Sequence, residues 1–393
     1  MKFRRHGRLP VLLAAGLSLA ACNTNNNSST TAAPASTSAP ASSSAPSSSS
    51  GSSTQGGATT AGITCGTGTL NGEGSTAQAN AISQWVSDYQ AQCKGSTINY
   101  NGTGSGAGIK QFLAGQVDWA GSDASLDPTT EAPLAKQHCG GNDAWNLPMA
   151  VGPIAVSYNV SGVASGLVLD GPTIAKIFTG KVTKWNDPAI AALNSGVTLP
   201  DKEIKVFFRS DDSGTTQNFE KYLAAAGGGA YTGTPAKQFN GGVGEGQAKS
   251  AGVQQAVKAT DGGIGYLEYS FAKDGNLSIA NVTTSTRGTP VALSAQSAGQ
   301  ALAAATQVGT GNDLSMKLDY ATTTAGAYPI VLVTYEIVCS KGMSADKTAL
   351  LKGFLSYTSS TAGQQSISAL GYGTLPADLA AKVSTALAAI TSA

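Results

Sequence analysis

Three short turns rich in glycine and hydroxyl side chains hold the residues best placed for chemistry. They are Gly72-Glu73-Gly74-Ser75-Thr76, Gly102-Thr103-Gly104-Ser105-Gly106-Ala107-Gly108, and Arg209-Ser210-Asp211-Asp212-Ser213-Gly214-Thr215-Thr216. Each follows a predicted strand and opens a predicted helix. At such a junction the first helical N–H groups are unpaired and the helix dipole is positive, so an oxyanion fits there. Glycine lets the backbone approach the anion, and Ser or Thr hydroxyls add directional donors. One such turn alone is ordinary helix capping. Three in one chain, one of them carrying an arginine, form a candidate anion site. The first is not a dinucleotide fingerprint, because Ala77 stands where the last glycine of G-x-G-x-x-G belongs. Asp123, in Trp119-Ala120-Gly121-Ser122-Asp123, follows a third predicted strand, where its side chain would face the same crevice. Taken alone it reads as a turn or cap aspartate.

The elements that must position these turns alternate. Gly66–Leu70 is predicted as a strand, followed by a helix carrying Ile82, Trp85, Val86 and Tyr89 at helical spacing. A strand at Thr97–Tyr100 leads to a helix around Ile109–Leu113, then strands at Val117–Ala120 and Leu147–Tyr158. Next come a helix near Thr173–Phe178, a strand at Ile204–Phe208, a helix over Thr216–Ala226 and a strand pair around Gly265–Tyr269. Ile330–Cys339 is a β-prone run, and helices follow at Lys347–Tyr357 and Leu379–Ile390. This alternation predicts an α/β sheet with binding loops at the strand C-termini. The roughly 330 folded residues exceed one typical core. We expect lobe one at 62–150 plus 327–393, and lobe two at 151–326.

The first 22 residues read as a secretion signal: Lys2, Arg4, Arg5 and Arg8 precede a short apolar run, Leu9 to Leu19. The run ends in Leu19-Ala20-Ala21-Cys22, which resembles a bacterial lipobox whose cysteine, Cys22, is acylated. Residues 23–61 are rich in Ser, Thr, Ala, Pro, Asn and Gly, without charge, and cannot bury enough apolar surface to order. This tether would span on the order of 35 Å. The chain is therefore expected to be exported and lipid-anchored at the outer face of the cytoplasmic membrane or the periplasmic side of the envelope. In that oxidising space Cys65, Cys93, Cys139 and Cys339 are expected to form two disulfides, with three possible pairings. We favour Cys65–Cys93 with Cys139–Cys339. A net charge of +1 with only 12% charged residues argues against nucleic acid as a partner.

The three turns resemble those of the phosphate-binding proteins of bacterial high-affinity phosphate ABC transporters. So do Val117 to Asp123, Leu169-Asp170-Gly171 through Trp185-Asn186-Asp187, and Gly262-Gly263-Ile264-Gly265-Tyr266-Leu267-Glu268-Tyr269. The match runs in order from about residue 66 to 380. It implies a two-lobed periplasmic-binding-protein-like α/β fold with the ligand cleft between the lobes. Carried over, Thr76 and Ser105 would donate to phosphate from lobe one, and Asp123 would accept a hydrogen bond from it. Arg209, Ser213, Gly214 and Thr215 would supply donors from lobe two, with Asp211 orienting Arg209 from behind. Ala77 would contribute its backbone N–H, although better-known members can carry an aromatic residue there. The implied partners are inorganic phosphate and a membrane-embedded ABC permease, and the protein is expected to act as a monomer.

A phosphate-handling hydrolase is the competing class. It would need an activated nucleophile, a general acid or metals. Of the two histidines, His6 lies in the signal and His138 reads as a surface residue of a polar loop. No His/Asp/Glu cluster has metal-ligand spacing, so no catalysis, metal or cofactor is expected. A binding protein for another oxyanion, chiefly sulfate, is the second alternative. Asp123 argues against it, because a carboxylate in a dry cleft would face a fully ionised sulfate.

Overall fold

The computed structural model describes residues 59–60, 63–284 and 288–393. The signal segment, Cys22 and most of the tether lie outside the described residues. The backbone of Thr59–Thr60, at the end of the expected tether, pairs antiparallel with Ile63–Thr64.

A long, mostly apolar stretch of the sequence forms the spine of the fold. Strand Ala144–Asn159 is buried along nearly its whole length. Its first part pairs antiparallel with Val331–Cys339, up to Pro153 opposite Val331. From Ile154 onward it pairs antiparallel with Gly263–Glu268 instead. One strand thus joins two halves of a nine-stranded sheet. The expected lobe boundary at 150/151 falls inside this strand. Its prolines mark the irregular points: neither can donate to a ladder. Pro148 faces Tyr335, where the register shifts, and Pro153 sits where the partner changes.

In the first half of the sheet, Gly68–Gly74 lies between Ser96–Gly102 and Trp119–Ser122, parallel to both. Val331–Cys339, some 200 residues later in the chain, closes this half antiparallel to Trp119–Ser122. In the second half Lys205–Arg209 runs parallel to both Gly263–Glu268 and Glu245–Gln247. Parallel neighbours end on the same side, so the turns after Gly74, Gly102 and Ser122 emerge together.

Helices cover the sheet by burying one stripe. Helix Ala79–Gln92 buries Ile82, Trp85 and Tyr89 at the expected spacing. Trp85 satisfies its indole N–H on the carbonyl of Gly363, at 2.7 Å, and Tyr89 meets Phe354 edge-on. Both favoured disulfides are present, Cys65–Cys93 and Cys139–Cys339. The second ties the end of Val331–Cys339 to the end of helix Ala132–His138. Two local expectations are corrected. His138 ends that helix rather than lying in a loop; it is half-buried, its ring edge-on to Phe112 at 4.8 Å. Gly265–Tyr269 is not a strand pair: one strand ends at Glu268, whose carboxylate caps the helix Tyr269–Asp274.

Candidate anion-binding site

The turn after Gly74 is possible only because two backbones almost touch. Gly74 has φ +150°, and a Cβ there would lie 1.9 Å from the carbonyl oxygen of Gly121. That approach sets Ser75 beside the end of strand Trp119–Ser122, where the Ser75 N–H donates to Gly121 O at 2.8 Å. The second turn opens helix Ser105–Leu113. The third opens helix Gly214–Ala226, capped by Ser213, whose hydroxyl accepts from the Thr216 N–H at 3.2 Å. Gly214 packs so closely that an added Cβ would lie 2.7 Å from both Asp123 Cβ and Ser105 Oγ. A side chain here would wedge the two halves apart.

Asp123 is the meeting point. It is 2% exposed, and its carboxylate takes hydroxyls from both halves: Ser75 on Oδ1, and Thr215 on Oδ2 at 3.0 Å. Its own N–H donates to Ser105 Oγ at 3.2 Å. Its carbonyl accepts from the Asn218 amide at 2.7 Å. Burial pushes the Asp123 carboxyl up from the usual range, against the pull of Ser75, Thr215, Arg209 and Ser105. A carboxylate offers about four acceptor positions, so these two hydroxyls leave room for a further donor.

Arg209, also 2% exposed, ends strand Lys205–Arg209. Asp211 grips it in a fork: Nε donates to Oδ1 at 2.8 Å, and Nη2 donates to Oδ2. Burial alone would raise Asp211, yet the guanidinium outweighs it and holds this carboxyl below its ordinary value. Such a fork fixes the plane of the guanidinium and leaves its Nη1 edge free to point elsewhere. That edge reaches Ser250 Oγ at 3.4 Å, and Ser250 Oγ in turn bonds Thr76 Oγ1 at 2.9 Å.

The residues expected to bind the anion therefore fall into one cluster, with some orientations unlike those expected. The Thr215 hydroxyl is directed at Asp123. The Ala77 N–H donates to Ser75 Oγ at 3.0 Å, while the Ala77 carbonyl accepts from Tyr372. Reading the sequence missed Ser75 as a participant, although it lies inside a quoted turn, and missed Asn218 and Ser250 altogether. Asn218 sits one helical turn beyond Gly214, a spacing that could have flagged it. Ser250 is the second residue of helix Lys249–Ala259, a helix without a side-chain cap and therefore without a start signal to read.

A two-halved α/β sheet with its turns converging on one buried Arg, Asp and hydroxyl cluster defines the class of periplasmic-type binding proteins. Residues 40–361 match the model of the PBP superfamily domain. Phosphate-binding protein PstS 3 of Mycobacterium tuberculosis is 45% identical over 393 residues, covering 99% of this chain and all of that protein. Phosphate-binding protein PstS of Xylella fastidiosa is 33% identical over 320 residues, 80% of this chain and 83% of that one. A solved high-affinity periplasmic phosphate-binding protein, PfluDING with bound phosphate, superposes with a TM-score of 0.66 at 25% identity, covering 81% and 93% of the two chains. The chain belongs to this phosphate-binding-protein family of the PBP superfamily. The fold is that of its two-lobed members.

Proposed function

We propose that the protein captures inorganic phosphate outside the cytoplasm and delivers it to an ABC-type permease, without altering it chemically. The observation that carries this reading is Asp123, a buried carboxylate held by hydroxyls from both halves of the sheet, beside a buried arginine whose plane is set by Asp211. On this reading the halves are lobes, 62–150 with 327–393 and 151–326, that close on the anion. Thr76, Ala77, Ser105, Arg209, Ser213, Gly214 and Thr215 supply donors, with N–H groups at the helix starts serving where a hydroxyl is turned elsewhere. Asp123 accepts the proton that phosphate carries near neutral pH. The protein acts as a monomer, uses no metal or cofactor, and catalyses nothing. Among the described residues no group of three or more His, Cys, Asp or Glu could hold a metal ion, and no helix is long and apolar enough to cross a membrane. We assign anchoring to lipid on Cys22, which mass spectrometry of the mature N-terminus would detect.

Calorimetric titration with phosphate, arsenate, sulfate and a phosphate monoester tests the reading. An unmet buried hydrogen bond costs about 1–3 kcal/mol, so phosphate should exceed sulfate by at least roughly ten- to hundred-fold. Asp123→Asn can donate as well as accept, and should narrow that gap chiefly by admitting sulfate. Wild type binding sulfate as tightly as phosphate would overturn the assignment. An unaltered ratio in Asp123→Asn would instead move the discrimination to another group.

A further inference from the structure

The hydroxyl of Ser250 lies between two of the proposed donors, one from each half of the sheet. It is wholly buried, bonded to Thr76 Oγ1 at 2.9 Å and approached by Arg209 Nη1 at 3.4 Å. The Ser250 N–H also faces Thr76 Oγ1, at 3.4 Å. The chain reaches this place through a strained residue. Lys249 has φ +63°, a left-handed conformation uncommon for a side-chain-bearing residue. That conformation turns the Lys249 N–H onto Asp211 Oδ1, at 2.9 Å. Consecutive residues thus brace the carboxylate behind the arginine and the hydroxyl in front of it. Strain of this kind persists only where the surroundings hold it, and it clusters at functional sites.

We infer that Ser250 is a positioning residue for anion capture: it aims the free edge of Arg209 and couples it to Thr76 across the cleft. A serine hydroxyl suits the role because it can accept from the guanidinium while donating to, or accepting from, the threonine. The inference rests on the reading of the site as the phosphate site. It assigns Ser250 no direct contact with the anion.

The test compares Ser250→Ala, Thr76→Val and the double variant by phosphate calorimetry, with melting of each protein in the absence of phosphate. Ser250→Ala is expected to weaken phosphate about tenfold, mainly through a faster off-rate, with little change in ligand-free melting. The double variant should lose clearly less than the product of the two single losses, because both remove one bridge. Ser250→Thr keeps the hydroxyl and should restore most of the affinity. Should Ser250→Ala not fold, Ser250→Cys makes the same comparison with a weakly bonding thiol of similar volume. Wild-type affinity in the hydroxyl-less variant, or single losses that multiply in the double, would overturn the role of Ser250 and leave the phosphate reading intact. A wild type that does not bind phosphate would instead overturn the reading beneath it.

Discussion

At the end of strand Lys205–Arg209 the buried cation meets its counter-charge two residues later, in Asp211. At the end of strand Trp119–Ser122 the buried carboxylate of Asp123 has only hydroxyls as partners, and burial raises its proton affinity. Behind it stand two further buried acids, Glu336 and Glu268, each pushed up chiefly by burial and also by Asp123. One wall is thus a neutralised charge pair, and the other is a set of acids inclined to hold protons. One arginine against Asp211 and Asp123 leaves no surplus positive charge, so net attraction cannot select an anion here. Oriented N–H and O–H donors must do so, and the acid wall favours a ligand that brings a proton.

The largest expected effect comes from breaking the neutralised wall. Arg209→Ala removes the guanidinium and leaves Asp211 without its partner. Truncating one member of a buried charged pair costs about 2–5 kcal/mol, or roughly 30- to several-thousand-fold in phosphate affinity. Arg209→Lys should lose less, since an ammonium keeps the charge but not the fork. Unchanged affinity in Arg209→Ala, read by calorimetry, would place the site elsewhere.

The acid wall can be tested through pH. Glu268 is pushed up to about 8, first by burial and then, against the help of Ser270 and Tyr372, by Asp123. Among the described residues its Oε1 finds no hydrogen-bond partner. The folded state therefore holds this proton more tightly than the unfolded chain, whose glutamate titrates near 4.3. The contribution to stability is fully present below about pH 4, and is lost progressively as pH rises towards about 8. Glu268→Gln mimics the protonated form and should flatten that decline, by up to about 1.4 kcal/mol for each pH unit across the window. Denaturant unfolding at pH 5, 6, 7 and 8 measures it; parallel slopes for wild type and variant would mean that Glu268 is ionised in the fold.

The difference between the walls also explains what the sequence made legible. Arg209 and the helix starts are local: strand, turn and cap lie within eight residues, so type and spacing reveal them, while the role of Asp211 came only from the family resemblance. Most strands were legible for the same reason, and apolar runs located Val331–Cys339 and most of Ala144–Asn159, whereas the short, polar Glu245–Gln247 was not read as a strand. The acid wall is nonlocal. Glu336 sits in the middle of an apolar strand and meets Gln78, 258 positions away in the chain; only the folded sheet brings them together. Ser250 depends on a left-handed lysine, which no propensity announces. The shared strand was hidden because continuous burial erases the periodicity that would show where one partner ends and another begins.

The smallest effects should come from the rim, where the same contrast recurs at the surface. Among the described residues two ion pairs join the halves. Lys237 meets Glu131 at 2.5 Å, each side chain about four-fifths buried, while Lys110 meets Asp212 at 2.7 Å with the lysine 73% exposed. Lys237 is also tied to the site through its backbone, since its carbonyl accepts from the Ser213 N–H at 2.8 Å. Exposed pairs contribute about 0–1 kcal/mol and are screened by salt. Lys110→Ala should therefore raise the phosphate off-rate by no more than about fivefold at low salt, with the difference vanishing near 1 M. Lys237→Ala should do more and keep part of its effect at high salt, because a buried pair is screened less. Stopped-flow release at two ionic strengths measures both. If Lys110→Ala matched Lys237→Ala at every salt concentration, burial would not be what grades the contacts between the halves, and closure would have to be set by the anion alone.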